Sequence, residues 1–326
     1  MDQKKRIWAM ICRLNTLFQG QCRQTAKLHC QSGRNCVVRH LIIYLFSILL
    51  SNSLSASAAP AERSVKIGVP ADVYQDYMLV APTSFHARPN YAHPNSRRDV
   101  VELFLLQRAL VLGGFNHVLE IRPVDGYLRI LQQLSEGKIA VTGTTVWDFD
   151  ARASIQDMWV SDALVRRGEF VVGLYTSERN IPVLQSQTLA QLLLLTPVTN
   201  RNWKMDWSLL EQMGYRQLQY AGSWDSMVRM VLAGRADFVL APFPSGSSLH
   251  IDAGDGRYLE PIPGVKVAFP AERAFAVSKN TPFSQALFTA LQTGLKVMRT
   301  TGEIEQAYRD SGFFNTQSQQ WLLIYP

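Results

Sequence analysis

Groups able to hold or transform a small solute are gathered in a few short stretches of this 326-residue chain. "VTNRNW" (198–203) places Thr199, Asn200 and Arg201 where an apolar run passes into a helix. Free amides at a helix start, a hydroxyl and a guanidinium together suit a carboxylate; an ordinary polar loop is the alternative. "TGTTVW" (142–147) offers the hydroxyls of Thr144 and Thr145 and the stacking face of Trp147, although an aromatic there also serves a core. Tyr74 and Tyr77 follow the first apolar run and are candidates for a cleft wall. In "VWDFDARAS", Asp148 and Asp150 lie beside Arg152. Two carboxylates at that spacing can move protons, while a solvated loop with Arg152 paired to either acid uses the same residues. His86, His93 and Arg88 form a weak metal pattern, and neither a metal nor a cofactor is expected. The chain lacks G-x-S-x-G, H-E-x-x-H and P-loop signatures, and residues 59–326 lack cysteine, so the common nucleophilic, zinc and phosphoryl chemistries find no motif.

These stretches need elements to position them. "RSVKIGVP" (63–70) reads as a buried strand, and Ala71–Asn95, rich in Tyr, Pro, His and Asn, as a long loop. "SRRDVVELFLLQRALVLGG" reads as a helix with Ser96 and Asp99 as its capping pair. "HVLEIRPV", "DGYLRILQQLSEG" and "KIAVTG" follow as strand, helix and strand. The second half repeats the order through "TLAQLLLLTPVT", "DWSLLEQMGY", "RQLQYAG", "SWDSMVRMVLAGR" and "ADFVLAPF", with Ser223 as an N-cap. Strands alternating with helices imply parallel sheets covered on both faces.

The repetition is literal in one place. "LQQLSEGKIAVTG" (131–143) and "VRMVLAGRADFVLAP" (228–242) each join an amphipathic run, a turn glycine and a short apolar run. The glycine is expected to end the helix in a left-handed turn. Two such phrases in matching positions predict two similar lobes. "KVAFPAERAFAVSKN" then holds two strand-like stretches, and a new strand there invites a return to the first lobe, so that two crossings create a hinged cleft.

Charge and cysteine isolate the leader. Residues 1–58 hold eight Lys/Arg, one acid and all four cysteines, and therefore the whole formal charge of +7. The neutral remainder has no basic footprint for nucleic acid. "LIIYLFSILL" followed by Ala56-Ser57-Ala58 reads as a signal peptide cleaved after about Ala58. This predicts a periplasmic, exported protein that is not membrane-embedded and is a monomer. The 36 residues ahead of Val37 are long for such a leader and suggest initiation near Val37 or Val38.

The phrases "YLRILQQLSEGKIAVTG", "WVSDALVRRGEFVVGLY" (159–175), "MVRMVLAGRADFVLAP" and "AERAFAVSKNTPFSQALFTALQTGLKVMRTTGEIEQAYRDSGFF", in that order, resemble the type II periplasmic solute-binding proteins of ABC transporters, family 3, the polar amino-acid branch. The resemblance spans about 63–314. It implies an α/β fold of two lobes, each a mainly parallel sheet flanked by helices, with two hinge crossings: residues 63–167 and a return segment 272–326 in lobe 1, and 168–271 in lobe 2. It implies capture of a small polar, carboxylate-bearing solute for an ABC permease or a membrane sensor, and a binder rather than an enzyme. A dehydratase-like enzyme or a ligandless interaction protein are the alternatives. The family's carboxylate-gripping arginine falls to Arg152 with added spacing. The family's amino-group aspartate has no counterpart, since its strand ends in Ala241, Pro242 and Phe243, and Asp237 reads as structural.

Overall fold

Val65–Pro70 (β1) alternates little because both its faces are covered, and it ends where Pro70 removes a ladder donor. The computed structural model describes residues 64–82, 89–244, 246 and 248–325. The leader, its cleavage site, its cysteines, His86 and Arg88 lie outside the described residues.

After β1 the chain enters helix Ala71–Val80 (α1), where a loop was expected. Pro70 precedes the first turn, and Val73 and Tyr77, four residues apart, share the buried face. The loop-like composition begins only beyond Val80. Arg98–Leu112 (α2) is buried around most of its circumference, as a helix inside a covered sheet must be. Its N-cap is Arg97, without a side-chain cap, and Ser96 Oγ instead donates to the Asn90 carbonyl. Leu119–Val124 (β2), Tyr127–Ser135 (α3), Val141–Thr142 (β3), Val146–Trp147 (β4), Asp148–Arg152 (α4) and Met158–Val160 (β5) complete the first half. The second half holds Val171–Ser177 (β6), Ile181–Leu184 (α5), Leu189–Leu192 (α6), Pro197–Thr199 (β7), Lys204–Met213 (α7), Gln219–Tyr220 (β8), Trp224–Leu232 (α8), Phe238–Pro242 (β9), Ile251–Asp252 (β10), Tyr258–Pro261 (β11) and Val265–Ala268 (β12). Arg273–Ala274 (β13), Ala276–Ser278 (β14), Ser284–Thr300 (α9), Glu303–Asp310 (α10) and Leu322–Tyr325 (β15) end the chain.

Two main sheets result. The first has the order β2-β1-β3-β14-β5, with β1 parallel to both β2 and β3 and with β14 antiparallel to β3 and β5. The second runs β10-β11-β6-β9-β7-β8. Only β9-β7-β8 is parallel along that path; β6, β10 and β11 join antiparallel. Strand β12 pairs with β6 and with β15.

The return segment therefore does not stay with the first sheet to its end. Strand β13 pairs with β4 in a separate two-stranded sheet, residues 276–310 stay with the first sheet and pack α9 against α2, but β15 pairs in parallel with β12 and belongs to the second sheet. A third passage of the chain links the lobes. The two expected crossings run side by side: Phe269 N–H donates to the Phe170 carbonyl at 2.9 Å, and Arg273 N–H to that of Val165 at 2.9 Å.

The two repeated phrases match. Gly137 and Gly234 have φ of +68° and +66°, each just past its helix. Both take the left-handed turn that a side chain resists. The Asp237 carboxylate accepts from Thr196 N–H at 2.7 Å, a structural bond that ties the end of this turn to the start of β7. Ser223 caps α8 by accepting from Ser226 N–H.

Candidate functional site

Parallel strands point their C-terminal ends the same way, and in open α/β sheets the crevice beyond those ends collects ligands. Here the ends of both sheets open onto one cleft of about 850 Å³. From the first sheet come Pro70–Val73 after β1, Asp125–Tyr127 after β2, and Thr144, Trp147 and Asp150 beyond β3. The start of α2 adds Arg97, Arg98 and Asp99. From the second sheet come Asn202–Lys204 and Asp206 at the start of α7, Trp224 at the start of α8, and Leu240–Pro242 at the end of β9. Phe170, Phe269 and Arg273 of the crossing segments form the remaining wall.

Arg273 is the chemically distinctive group. It is only 7% exposed, on β13. Its Nε donates to Thr145 Oγ1 at 3.0 Å and its Nη2 to the Thr145 carbonyl at 2.5 Å. Its guanidinium lies 4.6 Å from the Trp147 ring centre and 5.6 Å from that of Phe170. Among the described residues no carboxylate comes within 4.0 Å of it, and none accepts from Nη1. Burial, with the Arg98 charge beside it, pulls its pKa below the ordinary guanidinium value. Glu102 and Asp99 act on it only from a distance, so a buried cation without a carboxylate in contact is costly, and a carboxylate entering the cleft would relieve that cost.

The neighbouring charges are satisfied internally. Arg98 bonds Asp99 at 2.6 Å and Glu102 at 2.7 Å. Arg97 bonds Asp72, Asp76 and Asp99. Burial pushes the Asp99 carboxyl up, and the Arg98 and Arg97 charges more than reverse this, holding it below the usual carboxylate range. Glu102 is fully buried and accepts from Arg98, from Thr145 N–H and Oγ1 at 2.8 Å each, and from Tyr308 Oη. Glu102 thus fixes Thr145, and Thr145 holds Arg273. On the second-sheet wall, burial raises the Asp206 carboxyl to about 7, against the opposing pull of its own N–H and of the Arg273 charge. Tyr127 Oη donates to Asp150 at 2.8 Å, and burial raises its pKa.

Of the residues that the sequence nominated, Thr144 and Trp147 line the cleft. Arg152 does not. Its side chain is 55% exposed and pairs with Asp148 one turn back on α4. Thr145 is buried behind the wall, engaged by Glu102 and Arg273. Thr199 and Asn200 are buried in the strand-to-helix turn, where Asn200 Nδ2 donates to the Gly222 carbonyl and its Oδ1 accepts from Asn202 N–H. Arg201 points outward over the rings of Trp207 and Tyr220, at 5.7 Å and 5.4 Å. Tyr77 faces the core, 5.4 Å from Phe104, and accepts from Gln107 Nε2. Tyr74 packs half-buried against the same core. Both leave the cleft wall because the expected loop is a helix whose inner face they occupy. The sequence reading missed Arg98, Arg273 and Asp206. A lone arginine inside the apolar "RAFAV" was the available signal for Arg273.

No protein-family model matches the chain, and no curated protein matches it. Among solved structures, the probable amino-acid ABC transporter extracellular-binding protein ytmK of Bacillus subtilis is 13% identical, covering 76% of this chain and 97% of its own, with a TM-score of 0.50. The periplasmic VFT2 domain of BvgS from Bordetella pertussis is 18% identical over 76% and 93%, with a TM-score of 0.49. The arginine-, lysine-, histidine-binding protein ArtJ of Geobacillus stearothermophilus is 14% identical over 76% and 95%, with a TM-score of 0.45. The fold is the two-lobed one of type II solute-binding proteins.

Proposed function

We propose that the cleft captures a small solute through a carboxylate seated on Arg273. One observation carries this reading: a buried guanidinium opens onto a large interlobe cleft and lacks a carboxylate of its own. The residues implied are Arg273, Thr144, Trp147 and Phe170, in place of Arg152, Arg201 and Thr199. The lobes divide at 167/168 and 271/272, with β15 added to the second. The closed form would be read by an ABC permease or a membrane sensor in the periplasm, as the resemblance implies.

A thermal-shift panel of amino acids, organic acids, polyamines, sugars and peptidoglycan fragments tests this. A carboxylate at one hundred times its dissociation constant adds about 2.7 kcal/mol, a rise of several degrees for a protein of this size. Arg273→Gln, which keeps a hydrogen-bonding tip, should abolish that rise. A neutral sugar as the sole hit, or a carboxylate response unchanged in Arg273→Gln, rejects the reading.

A second reading, an acid–base enzyme on this scaffold, draws on the Tyr127–Asp150 bond and on Asp206 in the same cleft. Chromatographic conversion of a bound carboxylate, lost in Asp206→Asn, would favour it.

A further inference from the structure

The cleft wall that faces a carboxylate on Arg273 is mostly apolar, with Asn202, Lys204 and Asp206 gathered at the start of α7. Trp203 and Trp224 line it from the starts of α7 and α8, and Leu240, Ala241, Pro242 and Ile251 continue it. Neither indole stacks on another ring, and no described residue accepts from either indole N–H. Trp203 is 38% exposed. This contrasts with the rings around the arginine: Trp147, Phe170 and Phe269 contact one another at 5.1–5.5 Å and are already buried. Trp203 leaves an open indole face in the cleft, and Trp224, half-buried against the second hydrophobic cluster, lines it too, so both offer surface that a ligand can cover.

The strand end on the same wall, Ala241-Pro242, offers no carboxylate to an ammonium group. Away from Asn202, Lys204 and Asp206, a solute with a polar body would bring its donors and acceptors against this wall unpaired. A flat apolar body would instead gain from burial and from ring stacking.

We infer that the cleft selects a ring-bearing aromatic carboxylate, its charge on Arg273 and its ring against Trp203 and Trp224. This rests on the reading that Arg273 receives the carboxylate, and it narrows that reading to one ligand class.

The test is calorimetric titration of the purified full chain with three probes: 3-phenylpropionate, succinate and glutamate. The aromatic probe should bind at least tenfold more tightly than the other two. Trp203→Ala and Trp224→Ala should each weaken 3-phenylpropionate about tenfold, and leave any succinate binding within about twofold. Trp203→Phe and Trp224→Phe should recover most of the loss. Succinate or glutamate binding as tightly as 3-phenylpropionate, with loss in Arg273→Gln, overturns the aromatic class and leaves the carboxylate site standing. Equal weakening of all probes in the tryptophan variants also overturns the class. Failure of every carboxylate to bind the folded wild-type protein overturns both.

Discussion

Asp206 sits half-buried in the first turn of α7, on the wall of the cleft that Arg273 also lines. Its carboxyl is raised to about 7, chiefly by burial. Between the unfolded value near 4 and about 7, the native chain holds a proton that the unfolded chain has released. This group's penalty on folding therefore grows as pH rises through that window and is complete above 7. Asp206→Asn should flatten the fall in stability between about pH 4 and about pH 7, as read by denaturant midpoints. Carboxylate binding should follow the same sign. A deprotonated Asp206 opposes a second anion, so affinity should weaken above pH 7 by at most about tenfold per unit; a pH-independent affinity would remove Asp206 from the site. Arg152→Ala and Arg201→Ala serve as contrasts. Their side chains lie outside the cleft, and each should change stability by less than about 1 kcal/mol and leave ligand affinity unaltered.

At the scale of elements, the site depends on how α2, the β3–β4 turn, α10 and β13 meet. Glu102 of α2 accepts from Thr145 in the turn and from Tyr308 of α10, and Thr145 accepts from Arg273 of β13. Glu102→Gln keeps the shape, removes the anion between Arg98 and Thr145, and should cost about 3 kcal/mol in denaturant unfolding. Any loss of ligand affinity in that variant should exceed that in Arg152→Ala, because Thr145 no longer aims Arg273. Helices α2 and α9 touch through two glycines. A Cβ on Gly294 would lie 1.8 Å from the Ala109 carbonyl oxygen, and one on Gly113 2.0 Å from that of Ala290. Backbone cannot yield as a side-chain tip can, so Gly294→Ala should destabilise by about 2 kcal/mol or more, seen as a lower thermal midpoint. An unchanged midpoint would mean that α9 is free to move off α2.

The whole molecule joins these parts through its crossings. The segments around Val165–Phe170 and Phe269–Arg273 form one hydrogen-bonded ribbon between the sheets. Arg273 and Phe170 lie on that ribbon and also line the cleft. A ligand held by Arg273 thus acts at the place about which the lobes would turn. If it draws the lobes together, the radius of gyration measured by small-angle X-ray scattering should fall on adding ligand to wild type and stay constant for Arg273→Gln. The β15 strand adds a further link, so deleting 322–326 should lower stability without removing the cleft.

The sequence by itself determined the alternation of strands and helices, the two matching turn glycines and the two-lobed plan. Periodicity and left-handed turns are local, and Gly137 and Gly234 announce themselves without reference to the rest of the chain. It also separated the basic, cysteine-bearing residues 1–58 from the neutral remainder. Only the tertiary structure decided which polar residues face the cleft. Arg152 and Arg201 had the right type in plausible places, yet a short helix and two aromatic neighbours turned them to solvent. Arg273, about 120 residues beyond Arg152 in the chain, reached the cleft because β13 pairs with β4 and brings it beside Trp147 and Thr145. Such a site is assembled from non-local pairing, which sequence spacing does not encode.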